Sequence, residues 1–256
     1  MLQLLQLIPG YDPPHLGEPV SAGAVGDGPE MVECSGGKVE LGASDDGFAY
    51  DNERPRHERE IAPFSIDRTP VTNGDYQRFL AETDAEPPMY WVAGGEDSWH
   101  RERFGRSEEI KPDSPVIHVS HRGAEAFAAW AGKRLPSEFE WEAAAVGSDL
   151  EQTNLDHSAW DVAPAGSFDL GASDCGAHQM LGDVWEWTAS DFEPYPGFQA
   201  FPYEDYSQTH YGQGFKVLRG GAWATRRHTI RRSFRNWDLV ERKQIFSGFR
   251  CAKDLP

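Results

Sequence analysis

MLGDVWEWTASDF, residues Met180 to Phe192, is the stretch on which the reading of this chain turns. Two tryptophans flank a glutamate in a region that has lost its helical signals. After residue 150 the sequence is made of short motifs of Trp, Gly, Asp and Pro, without the 3.6-residue period of a helix. Long irregular stretches are uncommon in a compact domain and tend to be functional or metal-stapled. Tryptophan buries a large area, so Trp185 and Trp187, with Trp130 and Trp141 upstream, are expected in the core. Arg219 and Arg250 are expected in buried ion pairs with Glu140, Glu142 or Glu186. Gly220 and Gly221 are expected where backbones approach closely.

The chain has 256 residues, enough for one large domain or two small ones with a buried core. Aromatic residues make up 12%, including nine tryptophans, which marks a folded chain. The net charge of −18 argues against sequence-independent nucleic-acid binding, which needs a basic surface, and against docking on anionic lipid. Three cysteines, Cys34, Cys175 and Cys251, lie far apart and are odd in number. They build neither a disulfide framework nor a CxxC metal site, and reduced thiols in a cytoplasmic protein are the expectation. No segment reads as transmembrane. MLQLLQLIPGYDPP (1–14) lacks the basic start and cleavage site of a signal peptide and reads as the last turns of an amphipathic helix.

Working forward from there, residues 15–30 are Gly- and Pro-rich without periodicity, hence a linker. MVECSGGKVELGAS (31–44) alternates around Gly36-Gly37 and predicts a β-hairpin. HEREIAPFSIDRTPVT (57–72) predicts a second strand region. Thr72 is placed to cap a helix through Thr83, and Ser120 to cap one whose apolar face holds Ala124, Phe127, Ala128 and Ala131. Ser137 and Glu140 have capping-box spacing. Residues 84–115 read as a long loop.

Taken in order, IDRTPVTNGDYQRFL (66–80), AWAGKRLPSEFEWEAAA (129–145), MLGDVWEWTASDF, VLRGGAWATR (217–226) and FSGFRCA (246–252) resemble the sulfatase-modifying-factor family, of the formylglycine-generating-enzyme type. The resemblance runs from about residue 31 to 253. It implies an α+β fold, a C-type-lectin-like variant with much irregular structure. Formylglycine-generating enzymes carry two nearby copper-binding cysteines after the RGG motif, and soft thiolates suit Cu(I). Residues 222–246 of this chain contain no cysteine, so that activity is not expected.

YDNERPRHE (50–58), TASDFEPYPGF (188–198) and FRNWDLVERKQIFSGFRCA (234–252) are similar instead to the C-terminal domain of the sulfoxide synthases (hercynine oxygenases) of ergothioneine biosynthesis. That family joins γ-glutamylcysteine or cysteine to hercynine with O2 and non-haem Fe(II). Its iron is held by three histidines of an N-terminal DinB-like helix bundle. The resemblance implies three parts: residues 1–14 as the tail of a bundle helix, 15–30 as linker and 31–256 as the sulfatase-modifying-factor-type domain. The bundle's H-x3-H-x-E motif does not occur here. The DinB-like iron-binding domain is therefore expected in cis beyond a truncated reading frame, or in trans, unless the chemistry has been lost. His118, in PVIHVSH (115–121), reads as structural.

The resemblance assigns substrate binding to Asn236, Trp237, Asp238 and Arg242. Asp238 and Arg242 are four apart, so one helical turn would place both on one face, where they can meet the ammonium and a carboxylate of a zwitterionic thiol. Asn236 and Trp237 can line the hercynine side, where aromatic and carboxylate neighbours favour a trimethylammonium. The family's proton-donating tyrosine comes from the loop before VLRGG, here 198–215, where Tyr203 and Tyr206 are both candidates. A structural Ca2+ is a further expectation of the family likeness, at Gly182, Val184 and Glu186, with Gln179 in place of an asparagine ligand. The alternatives to the sulfoxide-synthase reading are a non-catalytic binding module on the same fold and, least favoured, a formylglycine-generating enzyme.

Overall fold

A computed structural model describes residues 2–11, 20, 31–95 and 98–255. Apart from Val20, the expected linker of residues 15–30 lies outside them. In chain order the elements are α1 (Leu2–Leu5), β1 (Met31–Cys34), β2 (Gly37–Leu41), β3 (His57–Ile61), β4 (Phe64–Asp67), α2 (Asn73–Glu82), β5 (Trp91–Ala93), β6 (Trp99–Arg103), β7 (Arg106–Glu109), α3 (His121–Trp130), α4 (Glu138–Ala144), β8 (Trp185–Asp191), β9 (Phe215–Arg219), β10 (Asn236–Leu239), β11 (Ser247–Gly248) and β12 (Ala252–Asp254). Four small sheets result, ordered β1-β4-β12, β10-β9-β8-β11, β2-β3 and β5-β6-β7. The strand nearest the C-terminus shares β4 with β1, so the domain closes on itself.

The helices begin where their caps dictate. The Thr72 hydroxyl accepts from Asp75 N–H at 3.2 Å while the Asp75 carboxylate accepts from Thr72 N–H at 3.1 Å. Ser120 caps α3 through Gly123 N–H at 3.1 Å, and Ser137 with Glu140 caps α4 reciprocally. Ala124, Phe127 and Ala128 of α3 are buried, as the period predicts. Trp130 departs from the expectation. It is 36% exposed, and its indole N–H reaches Glu82 at the end of α2 at 3.0 Å.

Two further expectations are corrected. MVEC and KVEL do not form a hairpin: β1 pairs with β4 and β2 with β3. Gly36 and Gly37 both have positive φ, and a Cβ on Gly36 would lie 2.3 Å from Ile61 O. The glycine pair thus turns the chain out of one sheet and into another. The segment 84–115, read as a loop, holds the antiparallel meander β5-β6-β7. Its tight turn is Phe104-Gly105, with φ of +56° and +69°. A phenylalanine there does not announce a turn as Asn-Gly would.

The core holds Trp141, Trp187 and Trp223, with Arg219, Arg235 and Arg250 fully buried among them. Arg250 grips Glu186 at 2.7 and 2.8 Å and Arg219 bonds Glu142, as the sequence suggested, whereas Glu140 turns to Arg134. Gly220 has φ +89°, and a Cβ there would lie 2.7 Å from Met180 O, so the close approach requires glycine. His118 is buried with φ +66° and its Nδ1 lies 3.1 Å from Lys243 O. Burial, then the neighbouring Arg103, lowers its pKa to about 3. Neutral and packed edge-on to Tyr90, it is a structural histidine.

Candidate functional site

The site is built around β10, an edge strand bonded only to β9. Its register is Asn236↔Leu218, Trp237↔Val217, Asp238↔Lys216 and Leu239↔Phe215. The expected helical turn is absent because the main chain from Asn236 to Leu239 pairs with β9, and a turn closed by Arg242 N–H to Leu239 O at 3.0 Å follows. Asp238 and Arg242 still meet, Nε to Oδ2 at 3.6 Å. The strand alternation sends Trp237 to one face of the sheet and Asn236 and Asp238 to the other. The four residues therefore do not converge on one point. They form an aromatic side and a charged side of one edge.

On the aromatic side, Trp237 stacks on Phe192 with centroids 4.2 Å apart and planes 8° apart. Tyr206 meets Trp237 edge-on at 5.9 Å and itself stacks on Tyr50 at 5.0 Å. His210 closes the group at 5.4 Å from Trp237. Burial first, then the neighbouring Tyr50, Asp51 and Glu53, holds the Tyr206 phenol well above its usual range, so it stays a proton donor. Tyr203 is 58% exposed, with its ring 6.4 Å from Tyr206 on the outer side. On the charged side, burial raises the Asp238 pKa while Arg242 opposes the rise. Arg242 is half exposed and held only at 3.6 Å, so this pair is loose enough to exchange partners.

The loop carrying Tyr206 is fixed by the polar segment Asp51-Asn52-Glu53, which lies in the YDNERPRHE motif that carried the family resemblance but was given no role by it. All three side chains are buried. Asp51 Oδ1 accepts from the Ser207 hydroxyl at 2.5 Å, and Asn52 Nδ2 donates to the same hydroxyl at 3.1 Å. Glu53 accepts from Arg231 Nε at 2.7 Å and from the Ser233 hydroxyl at 2.8 Å. Arg235, one residue before β10, donates to both oxygens of Glu138 at 2.8 and 2.9 Å, to Asn52 O at 2.8 Å and to Glu193 O at 2.8 Å. Its guanidinium also lies 4.1 Å from the Tyr195 ring centroid. The tyrosine loop, the 51–53 segment and β10 are thus tied through one buried network. The sequence signal was the YDNERPRHE motif, which gave the resemblance but not these contacts.

The calcium expectation does not fit the structure. Both oxygens of Glu186 face Arg250, and Oε2 also accepts from Trp141 Nε1 at 2.8 Å. The Gly182 carbonyl accepts from Val184 N–H at 2.8 Å, and Gln179 is engaged with Gly166, Pro164 and Asp183. A carboxylate already neutralised by a buried guanidinium is a poor ligand for a hard cation. Among the described residues no group of three or more His, Cys, Asp or Glu is arranged to hold a metal ion.

This chain is similar to the hercynine oxygenase of Mycobacterium tuberculosis, at 43% identity over 248 residues, covering 83% of this chain and 58% of that protein. It is similar to the hercynine oxygenase of Mycolicibacterium smegmatis at 41% identity, covering all of this chain and 68% of that protein. The chain thus spans little more than half to two thirds of the length of these relatives. The fold matches PvdO from Pseudomonas aeruginosa with a TM-score of 0.68 and 25% identity, over 93% of this chain and 99% of that one. Residues 18–255 match the sulfatase-modifying factor enzyme 1-like domain, and with the ordered motifs, the closed α+β fold and the buried arginine pairs they place this chain in that family.

Proposed function

We propose that this chain is the substrate-binding domain of an iron(II)- and O2-dependent sulfoxide synthase of ergothioneine biosynthesis, acting in the cytoplasm. Its substrates would be hercynine and either γ-glutamylcysteine or cysteine. The observation that carries the reading is the two-sided edge of β10, in a chain more than two-fifths identical to hercynine oxygenases. The loose Asp238–Arg242 pair offers what a zwitterionic thiol substrate needs, a carboxylate for its ammonium and a guanidinium for a carboxylate. The aromatic side, Trp237 with Tyr206 and Phe192, offers the faces that attract a trimethylammonium. Asn236 supplies an amide at the same edge. Of the two candidate phenols, Tyr206 is the one beside Trp237 and is our choice of proton donor, with Tyr203 lying outward. Iron, when bound, would supply the O2 chemistry. Its ligands would come from a DinB-like domain in cis or in trans.

The test uses this chain joined to, or mixed with, such a domain. Arg242→Ala is expected to weaken thiol binding roughly 30- to 1000-fold, the loss of one charge-assisted pair. Hercynine affinity should change far less, and Arg242→Lys should recover only part, because an ammonium cannot make two parallel bonds. The 256-residue chain alone, given Fe(II), hercynine, thiol and O2, is expected to form no sulfoxide. Unchanged thiol affinity in Arg242→Ala, or sulfoxide formed by the chain alone at enzymatic rates, refutes the assignment. An in-frame H-x3-H-x-E motif upstream of Met1 in the genomic DNA would support the domain in cis.

A further inference from the structure

Cys34 and Cys175 are 141 residues apart, yet their sulfurs lie 2.7 Å from each other, closer than two sulfurs in van der Waals contact. Cys34 ends β1, an edge strand bonded only to β4. Cys175 sits in the turn that closes from Ser173 to Ala177, just before the Met180 motif, and this turn is fixed by Ser173 N–H to Ala177 O at 2.9 Å and Ala177 N–H to the Ser173 hydroxyl at 3.1 Å. Cys34 is buried and Cys175 half-buried, so oxidant can reach the second sulfur while the first waits behind it. The Cys34 thiol donates to Cys175, which lowers the Cys175 pKa to about 6, helped by Ser173, Ala177 N–H and Arg250. The same bond, with burial, raises Cys34. One cysteine is thus partly exposed with its thiolate favoured by its hydrogen-bond donors, and the other is a resolving thiol already in contact. That is the arrangement of a peroxide-sensitive pair. Cys251 is fully buried, its thiol pushed up by burial first.

We propose that Cys34 and Cys175 form a reversible redox pair, a dithiol that hydrogen peroxide converts to a disulfide and small thiols restore. The Cys175 thiolate attacks one peroxide oxygen, the O–O bond breaks, and sulfenic acid and hydroxide form; the hydroxide takes up the proton that Cys175 gave to solvent on ionising and becomes the first water. The Cys34 sulfur then attacks the Cys175 sulfur, the S–O bond breaks, and a second water leaves carrying the Cys34 proton. In sum two thiols and one peroxide give one disulfide and two waters. Reduction is thiol–disulfide exchange with two equivalents of an external thiol. The bond would staple the edge strand β1 to the turn ahead of the core tryptophans and close a loop of the length above.

The experiment treats the full chain with hydrogen peroxide, blocks remaining thiols with iodoacetamide after unfolding, and maps peptides by mass spectrometry. Expected is a loss of two hydrogens, a linked Cys34–Cys175 peptide, a singly alkylated Cys251, and full reversal by dithiothreitol. The oxidised chain should melt about 5–15 °C higher, as closing so long a loop predicts. Cys34→Ser or Cys175→Ser should abolish the shift and Cys251→Ser should keep it. Three alkylated thiols after peroxide, or Cys175 driven to sulfinic acid beside an alkylated Cys34, overturns the proposal. Both readouts come from the unsubstituted chain and do not depend on a variant that folds.

Discussion

Replacing Arg235 by alanine tests whether the buried network, rather than the β10 pairing alone, holds the site in place. Arg235 is fully buried, and its carboxylate partner Glu138 is 2% exposed. Removing the guanidinium strands the Glu138 charge, whose next cation, Arg219, is 4.0 Å away and already committed to Glu142. Breaking a buried pair in this way costs about 3–5 kcal/mol. The carbonyls of Asn52 and Glu193 lose a donor as well, and each unsatisfied group adds about 1 kcal/mol or more. The terms are not additive, so we take about 4–6 kcal/mol in all. That is a large fraction of the roughly 5–15 kcal/mol available to a domain and corresponds to about 8–20 °C in melting temperature at this size. The assay is urea and thermal unfolding followed by tryptophan fluorescence. Adding Glu138→Gln to Arg235→Ala removes the stranded charge and should return about 1–2 kcal/mol. Arg242→Ala, seven residues along the same stretch, loses only a half-exposed contact and should stay within about 1 kcal/mol of the parent. Equal melting temperatures for Arg235→Ala and the parent chain would refute the network as the source of stability.

Three further outcomes follow from single observations. Burial first, against hydrogen bonds from Ala163, Asn154 and Gln179, pushes the Asp183 carboxyl up to about 6 from an unfolded value of 3.8. Its contribution to stability is therefore full below about pH 4 and is lost as pH rises through about 6, so Asp183→Asn should flatten the urea midpoint between about pH 4 and 6, and an unchanged slope would remove Asp183 as the cause. Deleting residues 1–11 removes the bonds Phe104 N–H to Gln6 O at 3.0 Å and Gly10 N–H to Phe104 O at 3.2 Å, together with the Tyr11–Phe104 ring contact, and should lower the melting temperature by a few degrees; no change in melting would mean that this segment adds nothing to the fold. Gly248→Ala would set a Cβ 2.3 Å from the main-chain oxygen of Val116, with no flexible side chain to yield, and should abolish soluble folded protein; a variant with parental melting would show that the backbone can separate there.

What was legible in the sequence is what short-range physics decides. Thr72, Ser120 and Ser137 declare their helices because a cap and its partner lie three residues apart. The tryptophans of the Met180 motif declare the core by size. The misreadings are all non-local. Nothing in MVECSGGKVEL says that its halves belong to different sheets, since β4 and β3, which supply the partners, lie more than 15 residues downstream. Asp238 and Arg242 have helical spacing and do meet, but the main-chain bonds offered by β9 outweigh the helical choice. Likewise Cys34 and Cys175 look unrelated at 141 residues' separation, and Trp130 looks like core although it packs only partly against α2, on Phe79 and Glu82, and stays 36% exposed.

The three buried arginines explain how a chain with so little regular structure keeps its irregular segments in place. A loop's carbonyls have no ladder to accept from, and inside a protein each must still find a donor. Arg250 donates to the carbonyls of Asp67, Arg68, His178 and Gln179 while its fork grips Glu186. Arg219 does the same for Ser233 and Phe234, with Glu142 as its counter-ion. Arg235 does so for Asn52 and Glu193 with Glu138. Each guanidinium thus replaces a missing strand: one carboxylate fixes its charge, and its remaining N–H groups join segments distant in sequence. Lysine could carry the charge but not the divergent donors. The acids themselves come from α4 and β8, elements of regular secondary structure. Rigid elements therefore position the carboxylates, the carboxylates position the arginines, and the arginines hold the loops on which Tyr206 and the approach to Trp237 are carried.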